Sequence, residues 1–401
     1  MPEFPAQRTP PFGSESRALM TVLHLAQPVE GGVAQVVTDL ARAQTCAGLH
    51  VVVGCPEGGR LTRAASAAGA RTAHWPAVRE PGVRVVAEVY GVRRLVRAVR
   101  PDLVHAHSAK AGLAARLALR GRVPTVYQPH AWSFEAATGR TARLARAWER
   151  YAARWADRVL CVSEAERDTG TAAGVRARWA VVRNGVDASH FTPRTARQPD
   201  GCPALRPDGR TVLVVCVGRL CEQKGQRTLL AAWPGVTARV PHALLVLVGD
   251  GPDREALRRT APPGVVFAGA TDAVADWYAA ADLVVLPSLW EGMALTPLEA
   301  MACARPVLVS DVAGSRELLP PGQETSCLVP PGDPVALADA VVRLALDESL
   351  CAELATAACA HVRAGFDVHT TTAAVLELYR EVLRQRGSLV DVPAAERAGA
   401  R

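Results

Sequence analysis

Residues 280–309 read AADLVVLPSLWEGMALTPLEAMACARPVLV, and this stretch decides the fold. Its first apolar run, 283–286, is bounded by proline and serine, as is typical of a buried parallel strand. A loop follows, and a helix is then predicted to begin at Thr296, with Pro297 in its first turn and a capping box between Thr296 and Glu299. A second apolar run closes the stretch. The order strand, loop, helix, strand is the unit of a parallel α/β sheet.

Two carboxylates in this stretch are candidates for binding a ligand. Glu291 follows the carboxyl end of a strand, which is where ligands bind in open α/β sheets. Gly292 beside it allows a ligand to approach the backbone closely, and the helix start offers free N–H groups to an anion. Glu299 is either a helix cap or a second ligand contact, and its spacing alone does not separate these readings.

Length and composition set the broad class. A chain of 401 residues exceeds what one core serves, so two domains are expected. No apolar run approaches the roughly 18 residues that a membrane span needs. Residues 1–17 lack the apolar core of a signal peptide and are predicted to be a disordered tail. Ten cysteines without a C-x-x-C pair favour a reducing cytoplasm over a disulfide or zinc framework.

The net charge of +7 is unevenly distributed. Residues 1–200 carry +12, from 28 basic and 16 acidic residues, whereas residues 201–401 carry −5, from 18 and 23. The first half is therefore the expected face for an anionic partner or membrane. Nucleic acid is not expected, because the arginines are spread over several elements and no binding module is recognisable.

One basic helical segment has two open interpretations. It could lie on an anionic membrane through its aromatic and basic side chains, or it could pack its aromatics into the core and leave its arginines in water. The arginines are Arg140, Arg143, Arg146, Arg150, Arg154 and Arg158, interleaved with Leu144, Trp148, Tyr151 and Trp155.

Strand and helix patterns alternate along the whole chain. Residues 188–210 interrupt the alternation with proline, glycine, arginine and aspartate, and are predicted to be an interdomain linker. The two series predict two parallel sheets with a cleft between strand carboxyl ends. The predicted strands are 18–25, 51–55, 103–106, 123–127 and 159–162, then 211–217, 243–248, 264–267, 283–286, 306–309 and 326–329. A final helix is predicted at 370–385.

Several loops at predicted strand ends suit phosphate binding. Gly31 and Gly32 precede a helix start, which favours an anion bound by backbone N–H groups. Arg219 follows a strand with Lys224 five residues later, and two cations can neutralise a diphosphate. Gly249 and Gly251 follow another strand and were expected to allow close approach of a ligand.

Histidines follow two strands of the first half. His105 and His107 lie close in sequence to Lys110, and His130 follows the next strand in the segment Gln128-Pro129-His130. Each histidine is either a satisfied buried hydrogen-bonding group or a partner for a phosphate or hydroxyl. No third ligand lies at zinc-like spacing and no D-x-D occurs, so no metal is predicted.

These motifs together resemble glycosyltransferases of family 4, which are retaining nucleotide-sugar enzymes of GT-B fold. The resemblance covers about residues 18–386. Its motifs are Glu30-Gly31-Gly32, SEAER (163–167), RNGVD (183–187), VGRLCEQKG (217–225), LVLVGDGP (245–252), VVFAGATD (265–272) and, most specific of all, the segment 286–314 with its two glutamates.

The resemblance implies a domain organisation. Two Rossmann-like α/β domains would face a central cleft: an acceptor-side domain at 18–187 and a nucleotide-sugar-binding domain at 211–365. The linker would be 188–210. A helix at 366–386 would cross back to the first domain, and 387–401 would be a disordered tail.

The resemblance also implies site roles. Arg219 and Lys224 would hold the donor diphosphate, Glu291 the sugar hydroxyls and Glu299 the ribose, while His130 would sit by the anomeric carbon. His130, Arg219, Lys224 and Glu291 are the predicted catalytic residues. Further donor contacts would come from Gly31, Gly32, Gly249, Gly251, Phe267, Gly269, Gly292, Met293, Ala294 and Leu295, and the acceptor side from His105, His107, Lys110 and Asn184. No metal or cofactor would be required.

The implied reaction transfers a hexose or N-acetylhexosamine from a nucleotide diphosphate sugar, UDP-linked, with retention and without a protein nucleophile. The expected acceptor is lipid-linked or a polysaccharide precursor, at the inner membrane face. This hypothesis predicts that Lys110→Ala weakens acceptor use more than donor hydrolysis. Tailoring of a small secondary metabolite is the alternative. Sugar-nucleotide epimerisation is disfavoured, because VGRLCEQKG and the paired glutamates are typical of transferases.

Overall fold

A computed structural model describes residues 20–78, 82–194 and 211–388. The predicted tail at 1–17, most of the predicted tail at 387–401 and positions 195–210 of the predicted linker lie outside these residues. The domain boundaries therefore stay predictions. What the structure gives is two parallel sheets flanked by helices, and a last helix that returns to the first sheet.

The first sheet has the strand order β3-β2-β1-β4-β5-β6-β7 within the described residues, and all its pairings are parallel. We call this sheet and its helices the first lobe. Its strands are β1 (Thr21–Ala26), β2 (His50–Cys55), β3 (Arg71–His74), β4 (Leu103–His107), β5 (Thr125–Gln128), β6 (Arg158–Cys161) and β7 (Trp179–Val181). Its helices are α1 (Gly31–Cys46), α2 (Gly59–Ala67), α3 (Val85–Val99), α4 (Ser108–Leu119), α5 (Gly139–Ala152) and α6 (Glu164–Ala172).

The second sheet has the order β10-β9-β8-β11-β12-β13 in the described part of the chain, again parallel, and forms the second lobe. Its strands are β8 (Val212–Val217), β9 (Ala243–Val248), β10 (Val265–Gly269), β11 (Leu283–Leu286), β12 (Val307–Ser310) and β13 (Leu328–Val329). The helices are α7 (Gln226–Thr237), α8 (Arg254–Thr260), α9 (Val274–Ala280), α10 (Leu295–Ala302), α11 (Ser315–Leu318), α12 (Glu324–Cys327), α13 (Pro334–Leu346), α14 (Glu348–Gly365) and α15 (Val368–Gln385).

The central strands form where apolar runs are continuous. In β8 and β9 nearly every side chain is buried, because helices cover both faces of a parallel sheet. Cys161 and Cys216, predicted to act as small hydrophobes in strands, are fully buried there. β3 and β7 were not predicted, since short edge strands such as RTAH carry little apolar sequence. Residues 324–327, half of them predicted as strand, form helix α12.

The capping box predicted between Thr296 and Glu299 is wrong. Helix α10 begins at Leu295 and no side chain caps it. Thr296 donates from Oγ1 to the Val217 carbonyl oxygen at 3.4 Å, and Glu299 accepts instead from the Tyr278 hydroxyl at 2.6 Å. Tertiary partners have therefore displaced the local cap.

Helix α15 crosses from the second lobe to the first, as predicted. Its apolar face, which includes Leu376, Tyr379 and Val382, joins the core between β1 and α1. The crossing is tight at Gly185, where a Cβ atom would lie 2.7 Å from the Asp367 carbonyl oxygen. A bridge between Val186 and Asp367 fixes the helix start against the first lobe.

Candidate active site

Each sheet reverses its strand order at one point, between β1 and β4 in the first lobe and between β8 and β11 in the second. Ligands of open α/β sheets bind outside the carboxyl ends of strands at such points. Gly31 and Gly32 follow β1, and His107 ends β4. Arg219 follows β8, and Glu291 lies in the loop after β11. The predicted site residues thus cluster at both switch points.

The two switch points face each other. A Cβ atom on Gly32 would lie 3.8 Å from Leu295 of the second lobe. Ser163 Oγ donates to the Gly292 carbonyl oxygen at 3.0 Å, and Asn184 Nδ2 donates to the Met293 carbonyl oxygen at 2.8 Å. First-lobe side chains therefore hold the backbone of the loop after β11. Asn184, predicted on the acceptor side, makes one of these lobe-to-lobe bonds.

Lys224 and Glu291 are in direct contact. Lys224 Nζ lies 2.5 Å from Glu291 Oε1, which also accepts from Ser288 Oγ at 2.8 Å. Both side chains of the ion pair are largely buried, at 19% and 10% exposure. Such a pair is strong and geometrically defined, because solvent screens it little. Arg219 directly follows β8 and is half-buried, and its carbonyl oxygen accepts from Gln226 Nε2 at 3.0 Å.

Glu299 lies on α10, the helix that follows the loop carrying Glu291. Its Oε2 accepts from the Tyr278 hydroxyl, and burial raises the pKa of the Glu299 carboxyl, while this bond lowers it. Burial likewise raises the pKa of Tyr278, so the phenol stays protonated as donor. One carboxylate oxygen remains for a hydroxyl partner, as the ribose role requires.

The glycines after β9 allow a close contact with the backbone after β8, and their donor contact stays a prediction. A Cβ atom on Gly249 would overlap the Gly218 carbonyl oxygen, and one on Gly251 would overlap that of Leu220. The sequence interpretation was close approach of a ligand, whereas the approach here is backbone to backbone, which carries Arg219 on a loop braced by its neighbour. Gly269 differs, because nothing lies within 4 Å of its Cβ position. The Phe267 ring beside it faces the Arg258 guanidinium at 5.6 Å.

His130 occupies a strained loop between the lobes. His130 and Ala131 have φ of 56° and 99°, which non-glycine residues rarely adopt, and such strain is concentrated at functional sites. Glu166 holds the loop by accepting from the Ala131 N–H at 2.6 Å. Burial raises the pKa of Glu166 to about 7. The same loop touches the second lobe, since a Cβ on Gly292 would lie 3.1 Å from the Ala131 nitrogen.

The other predicted acceptor-side residues are buried. His105 and His107 are wholly inaccessible, and Lys110, 7% exposed, lies 3.2 Å from the buried Glu88. The structure therefore does not bring them to a cleft surface, and their acceptor-side role stays a prediction. With a third histidine, His24 on β1, one ring nitrogen from each of the three lies within 4.8 Å of the other two. The sequence reasoning missed this ligand-like trio because it considered only spacing along the chain.

Several other side chains at the site carried no sequence signal. Glu317 of α11 accepts from the backbone N–H groups of Glu164 and Ala165, and so caps α6 from the opposite lobe. It also pairs with Arg183 at 3.1 Å. No local pattern marks Glu317, because its partners lie across the cleft and more than 130 positions away in the sequence. The further unpredicted partners are Gln44, Glu166, Tyr278, Ser288 and Tyr379.

The basic helix α5 matches neither interpretation in full. It buries Ala142, Glu149 and Ala152. The Glu149 carboxylate is paired with the buried Arg116 at 2.8 Å. Leu144 is 71% exposed and Tyr151 is 49% exposed, so packing of the apolar residues into the core is wrong for these two. Arg158 belongs to β6 rather than to the helix. None of the described helices is both long and apolar enough to cross a bilayer.

Comparison with known proteins agrees with this geometry. Residues 30–190 match the family model described as Glycosyltransferase Family 4, and residues 211–347 the one described as Glycosyl transferases group 1. Two facing Rossmann-like sheets with these motifs define a GT-B glycosyltransferase. The chain belongs to glycosyltransferase family 4.

Individual relatives differ in their named donors. A GDP-mannose-dependent alpha-mannosyltransferase of Mycobacterium tuberculosis is 38% identical, over 63% of this chain and 67% of its own. A UDP-Gal:alpha-D-GlcNAc-diphosphoundecaprenol alpha-1,3-galactosyltransferase of Escherichia coli is 28% identical, over 56% and 62%. Among solved structures, Anabaena HepE in complex with UDP and glucose has a TM-score of 0.75 and 25% identity, over 90% of this chain and 99% of its own.

Proposed function

We propose that this glycosyltransferase moves a hexose or N-acetylhexosamine from a UDP-sugar to a hydroxyl of a lipid-linked or polysaccharide-precursor acceptor, with retention of anomeric configuration and without a metal. One observation carries the proposal: the Lys224–Glu291 ion pair lies at the switch point of the second sheet, where Arg219 follows β8, and Gly32 at the switch point of the first sheet faces Leu295 of the same site.

The residues divide the donor between them. Arg219 and Lys224 neutralise the diphosphate, and Lys224 exchanges part of its contact with Glu291 for phosphate oxygens. The N–H groups at the start of α1 supply further anion contacts. Glu291, held by Ser288, binds sugar hydroxyls, and Glu299 uses its second oxygen for the ribose. Phe267 and the open space at Gly269 accommodate the base.

His130 acts as a neutral group in this account. Burial lowers its pKa to about 3, so the imidazole carries no charge near neutral pH. A neutral ring beside the anomeric carbon hydrogen-bonds a hydroxyl without competing as a cation for the diphosphate. The acceptor attacks on the face that the leaving diphosphate vacates, and a phosphate oxygen takes its proton. Neither step needs a protein nucleophile.

Two donor nucleotides, UDP and GDP, have support among the similar proteins. UDP is favoured by HepE, whose structure holds UDP and glucose, and by the E. coli relative named for UDP-Gal. GDP-mannose is the second candidate, favoured by the greater identity to the M. tuberculosis relative. A lipid-linked acceptor is supported by the name of the E. coli relative and by the basic first lobe.

A donor panel tests the proposal. Purified protein is incubated with UDP- and GDP-linked hexoses and a polyprenyl-phosphate-linked acceptor, and released nucleotide diphosphate and glycosylated lipid are measured by mass spectrometry. We expect turnover with one UDP-sugar and an anomeric NMR signal matching the donor configuration. Turnover with GDP-mannose alone would contradict a UDP-sugar donor and identify GDP-mannose instead. A product of inverted anomeric configuration would refute retention. Glycosylation of soluble small molecules alone would favour a secondary-metabolite tailoring enzyme.

A further inference from the structure

A series of hydrogen-bonded side chains connects Gln44 on α1 to His130. His24 Nε2 contacts Gln44 Oε1 at 2.8 Å, and His24 Nδ1 contacts His107 Nε2 at 3.0 Å. His107 Nδ1 in turn contacts His130 Nε2 at 3.1 Å. We call Gln44, His24, His107 and His130 the histidine relay. It runs from α1 through β1 and β4 to the loop after β5, because β1 and β4 are neighbouring strands and α1 packs on β1.

Every imidazole in the histidine relay is neutral. Burial lowers the pKa of His24 to about 4 and that of His130 to about 3, and it holds the pKa of His107 well below its usual range. A neutral imidazole has one N–H donor and one bare acceptor nitrogen. When both nitrogens face neighbours, the proton position on one ring therefore dictates that on the next.

Gln44 sets the direction of this order. Its Nε2 donates to the Tyr379 hydroxyl oxygen at 3.4 Å, which turns its Oε1 towards His24. An amide oxygen only accepts, so His24 carries its proton on Nε2 and presents a bare Nδ1. His107 must then donate from Nε2, and His130 must donate from Nε2 to the bare Nδ1 of His107.

We propose that Gln44 is a positioning residue that, through His24 and His107, fixes His130 in the Nε2–H form, so that its Nδ1 accepts a hydrogen bond from a substrate hydroxyl. The inference rests on the proposed function, which places His130 beside the donor sugar. His130 Nδ1 makes no hydrogen bond within the described part of the chain, and His130 is half-buried at the lobe interface. The nitrogen that the relay leaves bare is therefore the one open to a ligand.

A metal held by His24, His105 and His107 is the competing use of these rings. Both nitrogens of His24 and both of His107 already face hydrogen-bond partners within the histidine relay. A metal would displace the His24–His107 bond and break the order of protons. The two uses thus exclude each other and are separable by experiment.

Histidine 15N NMR of the full-length protein tests the relay, because it separates protonated from bare ring nitrogens. The His130 signal is assigned by its loss in His130→Gln. We expect His130 as the Nε2–H form in the wild type and in Gln44→Glu, whose carboxylate also only accepts. Gln44→Leu removes the acceptor and should give a mixture of both forms. Gln35→Leu, at a half-buried position of the same helix that bonds Asp39 and not the relay, should leave the wild-type pattern.

The outcomes are independent of any substrate. A wild-type His130 protonated on Nδ1 would overturn the proposal, and so would an unchanged spectrum in folded Gln44→Leu or a shift of these signals on EDTA dialysis. With a working donor, Gln44→Leu should lower kcat about tenfold with little change in donor KM, as for one lost hydrogen bond to a reacting hydroxyl, and Gln44→Glu should restore it. If no donor supports turnover, the proposed function is refuted. The NMR spectra still test the histidine relay, because they need no substrate.

Discussion

Glu291 shows how single residues set the chemistry of the cleft. One of its oxygens is shared by Lys224 and Ser288, so the carboxylate has a defined direction before any sugar binds. The glycine that follows it has a different constraint. A Cβ on Gly292 would lie 2.9 Å from Val162 Cγ2 and 3.0 Å from Glu166 Oε1, both in the first lobe.

Gly292→Ala should therefore force the lobes apart at the site. We expect sugar transfer to fall on the order of a hundredfold, since a shift of about 1 Å in positioning can cost that much. Initial rates with the active donor give the measurement, and thermal melting monitors folding. Gly365→Ala is the matched control, because its Cβ position is open, and it should keep full activity. Normal transfer by Gly292→Ala would show that the two lobes need not meet there.

Burial of His24 predicts a pH-dependent contribution to stability. Its pKa is about 4 in the folded protein against 6.5 when exposed, so the unfolded chain takes up the proton first. The contribution is fully present above pH 6.5 and is lost as pH falls towards 4, to the extent of about 3 kcal/mol. Glu166, with its pKa raised to about 7, acts in the opposite direction. The contribution of His24 is therefore measured as the difference in unfolding free energy between the wild type and a variant without this histidine.

Urea unfolding of the wild type and His24→Gln at several pH values makes that comparison. The free energy of unfolding of the wild type should fall relative to that of the variant between pH 6.5 and pH 4. Parallel curves for the two proteins would contradict the assigned burial.

At the scale of elements, α3 and α4 are joined by the buried pair of Glu88 and Lys110. The sequence hypothesis read Lys110 as an acceptor-side group and predicted a selective loss of acceptor use in Lys110→Ala. The structure adds a second consequence, because Lys110→Ala leaves a buried carboxylate without its cation. We expect a loss of about 3–5 kcal/mol in the free energy of unfolding.

The double variant Lys110→Met/Glu88→Gln distinguishes the two roles. It removes both charges at similar volume and should recover most of the lost stability in urea unfolding. If it also recovers acceptor use, Lys110 is structural. Acceptor use that stays low in a stable double variant would support the acceptor-side role, and a Lys110→Ala protein as stable as the wild type would refute the buried pair.

Elements were predictable where the sequence pattern is local. The predicted strand 243–248 coincides with β9, because a short continuous apolar run is typical of a buried strand in a parallel sheet. The cap on α10 failed because Tyr278, 21 residues away, takes Glu299. The sequence singled out the glycines after β9 for a ligand, which stays a prediction, whereas their contact with the backbone after β8 depends on the sheet and has no local pattern. Gln44 and Tyr379, 335 residues apart, meet only through the path of α15, which no local pattern contains.

At the scale of the whole molecule, charge and exposed apolar groups coincide on the first lobe. Residues 1–200 carry +12, and α5 exposes Leu144 and Tyr151 among arginines. Such a face suits an anionic lipid surface, because each basic residue near it contributes about 1 kcal/mol. The first lobe would then bind the membrane through α5.

Vesicle flotation tests this orientation. The protein should bind phosphatidylglycerol vesicles at low salt and dissociate as salt is raised. Arg140→Glu/Arg143→Glu on α5 should abolish binding without changing activity on a soluble acceptor analogue. Arg259→Glu/Arg363→Glu, an equal charge change on exposed sites of the second lobe, should still bind. Equal loss in both would indicate attraction by net charge alone.

The central claim is that Lys224 and Glu291 together bind and orient the donor sugar diphosphate. The most direct measurement is sugar transfer by Lys224→Ala and Glu291→Gln, beside the exposed neighbour control Arg227→Ala. Both site variants should lose transfer by on the order of a hundredfold or more while remaining folded, as shown by a cooperative thermal melt, and the control should stay active. Undiminished turnover in either folded site variant would contradict the claim.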